Sequence, residues 1–397
     1  MKKINIGLIG YGVVGQGVVK LLKKYRKTFQ EKYAVDFQVK ALCDRSYTKK
    51  DTRSLGNIFK TKDYKKFLKQ DNIDVVVELI GGLKPAKEIA TATLKSGKHF
   101  VTANKSLIAD SGQELFKLAV KNNCQLLFES SVGAGIPIIK TITEGIAGNE
   151  YHGVYGIVNG TCNFILDEMS TKGLTFEEAL KDAQKKGYAE SDPTLDINGM
   201  DSTHKLAILI YLAFGKKLKI SEIYREGITH ISHDDIEYAE SLNKCIKLLA
   251  ISKKSGNKIE ARVHPTLISK DHPLASIHSI FNAIYVNADP LGDVLLSGEG
   301  AGQLAAASGV ISDLINLATQ SDEPAVCNLQ KDNKKLQVHP IDKIETKFYL
   351  RFMAPDQPGT LSKITGVLGK HGIGINSVTQ KEHGQASQHH ADTVHRK

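Results

Sequence analysis

Asp201 and Lys205 stand four residues apart at the head of an apolar run, so on a helix their side chains share one face. A carboxylate beside an ammonium has two chemistries open to it. On a solvated surface it is an ion pair worth little, and spacing alone favours that reading. In a cleft the same pair is a proton donor held by its counter-ion, suited to protonating a developing alkoxide. The approach to the pair is unusual: Gly187, Pro193 and Gly199 force turns on a segment carrying Glu190, Asp192, Asp196 and Asp201.

A second chemical set lies at the N-terminus. Ile4–Ile9 is a short β-branched run that ends in Gly10-Tyr11-Gly12-Val13-Val14-Gly15 and then turns helical. The three glycines answer three needs: a tight turn at Gly10, close approach of a pyrophosphate at Gly12, and helix-to-strand packing at Gly15. A helix N-terminus then faces the phosphates, which makes Gly10, Gly12, Val13, Val14 and Gly15 the expected dinucleotide-binding residues. A purely structural glycine turn is the alternative. The next strand ends in Asp44-Arg45. A carboxylate there takes the ribose hydroxyls of NAD, and an arginine the 2′-phosphate of NADP. With both present, Arg45 and its basic surroundings favour NADP, with NAD possible.

These residues need a scaffold, and the order of elements supplies one. Short apolar strands are expected at Phe37–Cys43, Val75–Ile80, His99–Thr102 and Gln125–Phe128, separated by helical segments such as Pro85–Ser96 and Gly112–Asn122. Strands alternating with helices imply a parallel sheet covered on both faces, an α/β Rossmann-type domain over residues 1–135. From residue 136 to about 300 the pattern becomes α+β, with strands at Gly153–Val158, Ala261–Leu267 and Ala283–Val286 and helices at Thr175–Lys186 and Asp201–Phe214. This reads as a substrate domain. A second glycine cluster, Gly298–Gly302, precedes a helix around Val310–Leu317 that returns to the first domain over about 300–325.

Composition narrows the functional classes. The chain of 397 residues carries a net charge of +10, but residues 1–70 alone hold 18 Lys/Arg against 5 Asp/Glu. The excess is therefore local, and with no tryptophan and no interleaved aromatics it does not make a nucleic-acid surface. Solvated helix faces explain most of it; a field that draws a phosphate-rich cofactor is the other reading. No apolar run is long enough to cross a membrane. Glycines at 7, 10, 12, 15 and 17 interrupt any signal-peptide core, so a retained strand and a cytoplasmic protein are expected. Five scattered cysteines, including Cys327, suggest neither disulfides nor a zinc site.

The segment Ala183–Lys205 resembles, at each defined position, the signature of the homoserine dehydrogenases, which interconvert L-homoserine and L-aspartate 4-semialdehyde with NAD(P)(H). Further matches run in the family's order: Val75–Gly82, Val101–Lys105, Ser131–Pro137, Asn159–Asn163 and Val263–Ile268. The resemblance implies Lys205 as proton donor to the carbonyl, Asp201 beside it on the substrate, and Glu190 on the substrate's amino group. It implies Lys105 in contact with cofactor and substrate, and Gly187 and Gly302 against the cofactor. Two lysines close together should lower the pKa of one. The resemblance also implies a homodimer, a place in threonine, methionine and isoleucine biosynthesis, and a sodium ion on the carbonyls of Glu129, Val132, Ala134 and Ile136. One departure is plain: where the family continues from the second glycine cluster into Pro-Thr, this chain runs Gln303-Leu304-Ala305-Ala306. A non-catalytic amino-acid or dinucleotide sensor on the same fold is the competing reading.

Residues 346–397 resemble part of an ACT domain. Phe348–Met353, a helix to His371 and Ile373–Val378 form a βαβ unit. Glu382–Lys397 is polar, histidine-rich and without apolar periodicity, and is expected to be a disordered tail.

Overall fold

The computed structural model describes residues 1–319, 333–355, 357–381 and 388–396. They fall into two compact units, Met1–Val338 and His339–Lys397. Cys327 lies outside the described residues, and the four other cysteines are free thiols.

The first sheet is built from β1 (Lys2–Ile9), β2 (Val35–Cys43), β3 (Phe59–Thr61), β4 (Val75–Glu78), β5 (His99–Thr102) and β6 (Leu126–Leu127). Its order is β3-β2-β1-β4-β5-β6, and each neighbouring pair is parallel. This is the doubly wound dinucleotide-binding order, whose ligand crevice opens outside the carboxyl ends of the strands where the winding reverses, between β1 and β4. The strands read as continuous apolar runs because both faces are covered: Ile6, Leu8, Val75, Val77 and Val101 are fully buried.

The helix Gln303–Thr319 returns from the far end of the unit to pack on the helix Val13–Lys24, its Ala307, Val310 and Leu314 entering the same core as Ile4, Ile6 and Leu8. Gly17 makes the approach possible, since a Cβ there would lie 2.7 Å from the Gln303 carbonyl oxygen.

The second sheet contains β7 (Glu150–Ile157), β8 (Tyr224–Arg225), β9 (Lys244–Ser255), β10 (Lys258–Ser269), β11 (Phe281–Asp289), β12 (Gly292–Glu299) and β13 (Gln337–Val338). Its main path runs β12-β11-β7-β9-β10-β13, antiparallel except for the last pair. The helix Met200–Phe214 packs on this sheet and on the helix Lys105–Lys121. It is apolar on nearly every side, as a helix enclosed between two layers must be. Tyr211 stacks on Phe116 with ring centroids 5.9 Å apart, tying the two helices together behind their N-terminal ends.

The second unit holds β14 (Phe348–Met353), a helix Thr360–Lys370, β15 (Ile373–Lys381) and β16 (Gln388–Arg396) in the order β14-β16-β15, both pairs antiparallel. Here the structure corrects the expectation of a disordered tail: residues 388–396 are the central strand. Backbone pairing on both sides orders a segment whose composition carries no strand pattern of its own. Residues 382–387 and 397 lie outside the described residues. Among the described residues, no helix is long and apolar enough to cross a membrane.

Candidate active site

The glycine turn opens directly off β1. Gly10 takes a φ of +94°, and a Cβ there would meet the Leu79 backbone at 2.8 Å. A Cβ on Gly15 would lie 2.2 Å from the Gly10 carbonyl oxygen, so the first turn of the Val13 helix can close on the strand only with glycine there. Gly12 differs, because a Cβ there would meet no protein atom within 4 Å. The helix has no side-chain cap at Gly12, so its first N–H groups stand unpaired beside that open space, with Val13 66% exposed. An uncapped helix start with room in front of it fits a pyrophosphate.

At the end of β2 the two cofactor candidates part company. The Asp44 carboxylate turns inward: Oδ2 accepts from Tyr11 N (2.7 Å) and Lys50 Nζ (2.8 Å), and Oδ1 from Ser46 N (2.8 Å) and Ser46 Oγ (3.0 Å). Burial works to raise its pKa, but Lys50 and the backbone donors prevail and lower it. Its lone pairs are spent holding the loop to the glycine turn, so the expected ribose contact by Asp44 does not follow from this geometry. Arg45 is exposed and makes no ion pair with a described residue.

The catalytic candidates converge from two helix starts. Asn104 ends the β5 turn and caps the helix Lys105–Lys121 by accepting from Leu107 N at 3.1 Å, which makes Lys105 the first helical residue. The helix therefore begins well before Gly112, the expected start of the helical segment. Gly199, at a φ of +79°, starts the helix Met200–Phe214 and places Asp201 in its first turn, where an anion is favoured.

Asp201 Oδ1 receives Lys105 Nζ at 2.5 Å and Oδ2 receives Lys205 Nζ at 2.7 Å. Lys205 also donates to the Val158 carbonyl at 2.5 Å. The surface reading of the Asp201–Lys205 pair is thereby set aside, since the aspartate side chain is 6% exposed and the lysine 11%. Burial pushes Asp201 towards the neutral form, but Lys205 and Lys105 outweigh it and hold the carboxyl well below its usual range. Burial likewise opposes the charge on Lys105, yet Asp201 prevails and raises its pKa. The lowering expected of one lysine does not fall on Lys105, because a carboxylate lies between the two ammonium groups.

Two residues without an assigned role join the cluster. Asn159, buried at the exit of β7, caps the helix Gly160–Lys172 through Cys162 N and donates Nδ2 to Asp201 Oδ2 (2.9 Å) and to Asp196 Oδ1 (2.8 Å). Burial raises the Asp196 pKa, and the Asn159 bond offsets it only in part. The Asn-Gly step after a strand was the available signal: it marks a helix cap, and the cap's amide carried the contact.

Glu190 is exposed, and its charge acts on Lys105. Gly187 lies in an exposed turn at a φ of +75°, anchored by the bond from Thr161 Oγ1 to the Tyr188 carbonyl (2.8 Å). Gly302, at a φ of +113° with open space at its Cβ position, precedes Gln303, whose Nε2 donates to the Val13 carbonyl at 3.0 Å.

Around the expected sodium ligands, Glu129 and Asp313 are both buried. The Glu129 carboxylate accepts from Ile139 N (2.8 Å) and Lys140 N (3.0 Å), and Glu129 N donates to Asp313 Oδ2 (2.9 Å). Ile136 N–H bonds to the Gly133 carbonyl, and the Ile136 carbonyl accepts from Ile138 N. Val132 is fully buried and Ala134 nearly so, and among the described residues no donor reaches either carbonyl.

Comparison with known proteins agrees with this geometry. The homoserine dehydrogenase family model matches residues 137–315, that of the homoserine dehydrogenase NAD-binding domain residues 10–129, and that of the ACT domain residues 348–397. A homoserine dehydrogenase of Neisseria gonorrhoeae is 42% identical over 387 residues, covering 96% of this chain and 89% of its own. That of Bacillus subtilis is 36% identical over 382 residues, 96% of this chain and 88% of its own. The crystal structure of a homoserine dehydrogenase from Thiobacillus denitrificans superimposes with a TM-score of 0.92 at 38% identity, over 100% of this chain and 92% of that one. A hyperthermophilic archaeal homoserine dehydrogenase mutant in complex with NADPH gives 0.68 at 30% identity, over 79% and 97%. A buried Lys-Asp-Lys cluster at the open edge of a dinucleotide-binding sheet, with relatives this similar along nearly the whole chain, places the protein in the homoserine dehydrogenase family of NAD(P)-dependent oxidoreductases.

Proposed function

We propose that Lys205 is the proton donor to the aldehyde oxygen of L-aspartate 4-semialdehyde, and the acceptor from the hydroxyl of L-homoserine in the reverse direction. The observation that carries this reading is the shared Asp201 carboxylate. Lys205 Nζ donates to Asp201 and to the Val158 carbonyl, which commits two of a lysine ammonium's three N–H groups and leaves the third for the substrate oxygen. The bound nicotinamide supplies or takes the hydride. Lys105, whose side chain is 40% exposed, sits on the open side of Asp201 and is the residue to contact cofactor and substrate. Asn159 keeps Asp201 and Asp196 in register, and Glu190 carries the charge that takes the substrate's amino group.

Gly10, Gly12, Val13, Val14 and Gly15 hold the pyrophosphate, with Gly187 and Gly302 against the rest of the cofactor. Arg45 is free to meet a 2′-phosphate, which supports NADP as preferred cofactor; Asp44 serves by shaping the loop. The carbonyls of Glu129, Val132, Ala134 and Ile136 form an oxygen-only donor set in a buried segment, and the unpaired Val132 and Ala134 carbonyls fit a hard monovalent cation such as sodium. A homodimer is supported by the exposed apolar Phe281, Leu291 and Leu295 along β11 and β12. Reduced thiols support a cytoplasmic setting, where the product alcohol feeds threonine, methionine and isoleucine synthesis.

The test is absorbance at the reduced-nicotinamide band on adding L-homoserine with NADP or NAD. A rise is expected, faster with NADP at low cofactor concentration. Cofactor binding with no absorbance change under any condition would favour the sensor reading.

A further inference from the structure

Asn282 of β11 pairs in register with Gly298 of β12 and is completely buried. Its main-chain carbonyl is satisfied by Ser297 Oγ at 3.1 Å, but neither Nδ2 nor Oδ1 has a hydrogen-bond partner among the described residues. The amide presses flat on the second glycine turn: a Cβ added at Gly300 would lie 1.9 Å from Asn282 Cγ and Nδ2 and 2.4 Å from Oδ1. Gly300 does not adopt a left-handed φ, so glycine is needed there for room and not for conformation. Three residues on, the turn ends at Gln303, which bonds to the Val13 carbonyl at the start of the first helix. The amide therefore sets the seat of a loop that abuts the dinucleotide crevice.

Filling space does not account for this choice. A leucine of similar size would pack the position without burying two unpaired polar atoms, which is costly in a native structure and calls for a reason. We propose that Asn282 is a positioning residue for the dinucleotide: its amide seats the Gly298–Gly302 turn, and as that turn settles on the bound cofactor its backbone groups become the partners of Nδ2 and Oδ1. The inference rests on the dinucleotide reading of the Gly10–Gly15 turn.

The experiment is fluorescence titration of NADPH into the wild type, Asn282→Leu, Gly300→Ala, Asn282→Ala and the double variant Asn282→Ala/Gly300→Ala, with thermal midpoints recorded without cofactor. Asn282→Leu is expected to be at least as heat-stable as the wild type, yet to bind NADPH at least tenfold more weakly. Gly300→Ala is expected to weaken binding at least tenfold alone but less than threefold in the Asn282→Ala background, where the Cβ has room. Binding by Asn282→Leu within twofold of the wild type overturns the inference. So does an equal loss from Gly300→Ala in both backgrounds. A wild type that binds neither NADPH nor NADH overturns the dinucleotide reading itself, and this inference with it.

Discussion

Lys105 Nζ lies 2.5 Å from Asp201 Oδ1, although the two residues open different helices on different layers of the molecule. One buried carboxylate thereby balances two ammonium groups, Lys105 on one oxygen and Lys205 on the other. The Lys-Asp-Lys triad by itself carries one excess positive charge, which suits an anionic transition state, while Asp196 and Glu190 set negative charge beside it.

Removing that carboxylate should expose the repulsion it masks. Asp201→Asn removes the carboxylate bonded to both ammonium groups and leaves Asp196 and Glu190 as the remaining nearby negative charges, so one lysine loses its proton more easily. Turnover should fall by at least 10²-fold, and the pH–rate profile should shift its lysine limb to lower pH. Breaking a buried pair also costs stability, on the order of 3–5 kcal/mol. A profile superimposable on that of the wild type would confine Asp201 to a structural role.

Lys205→Ala separates chemistry from binding. The residue is remote from the glycine turn in sequence and, among the described residues, bonds to Asp201 and the Val158 carbonyl, so NADPH affinity should stay within threefold of the wild type. Turnover should drop ~10²–10⁴-fold, the range expected for a lost general acid. Steady-state rates beside a cofactor titration decide it, and a variant retaining a tenth of the rate would remove Lys205 from the proton transfer.

The contrast between Asp44 and Arg45 gives a third test. Arg45→Ala should weaken NADP(H) by about tenfold and NAD(H) by less than twofold, because a guanidinium contact to a 2′-phosphate is charge-assisted and absent with NAD. Asp44→Ala leaves the Tyr11 and Ser46 N–H groups and Lys50 without their acceptor. It should lower stability by about 2 kcal/mol and weaken both cofactors alike. Selective loss of NAD binding in Asp44→Ala would show that the carboxylate leaves its internal partners to meet a ribose.

How far these features are legible in the sequence depends on how local their causes are. The strand, glycine turn and helix over Lys2–Lys24 are fixed by residues adjacent in the chain, and the turn's three glycines have distinct surroundings that their spacing already implies. The Asp201–Lys205 pair is equally local. Lys105 reaches it across the packed helices that Tyr211 and Phe116 join, which leaves no mark in nearby residues, and Asn159 reaches it from the exit of β7, where the Asn-Gly step marks the cap but not the contact. β12 has an apolar run of only three residues, Val294–Leu296, between glycines and partly exposed, and is ordered by pairing with β11. β16 is the extreme case, a polar segment made a strand by neighbours on both sides.

The buried acids Glu129 and Asp313 predict how stability varies with pH. Burial pushes the Glu129 carboxyl up to about 7, opposed by the Lys140 and Ile139 N–H groups and by the charge of Lys140, with Glu144 adding to the rise. Burial also raises Asp313 well above its ordinary value, and the charge of Glu129 adds to it. An acid with a raised pKa binds its proton more tightly folded than unfolded, so the folded state gains stability at low pH and loses it as pH climbs. For Glu129 the loss runs from its ordinary value of 4.5 to about 7 and amounts to about 3 kcal/mol. Asp201 has the opposite slope, but its contribution is complete above the ordinary aspartate range and is lost only as pH falls below it. His204 and His264, whose pKa values burial lowers, give the opposite slope in the same window, so the expected outcome is a difference: between pH 5 and 7 the thermal midpoint of the wild type should fall relative to that of Glu129→Gln. The comparison is between slopes, not levels, since glutamine also gives up one of the two backbone bonds and is expected to be less stable at every pH. A wild-type slope equal to that of Glu129→Gln across this window would show that Glu129 is not held protonated by its burial.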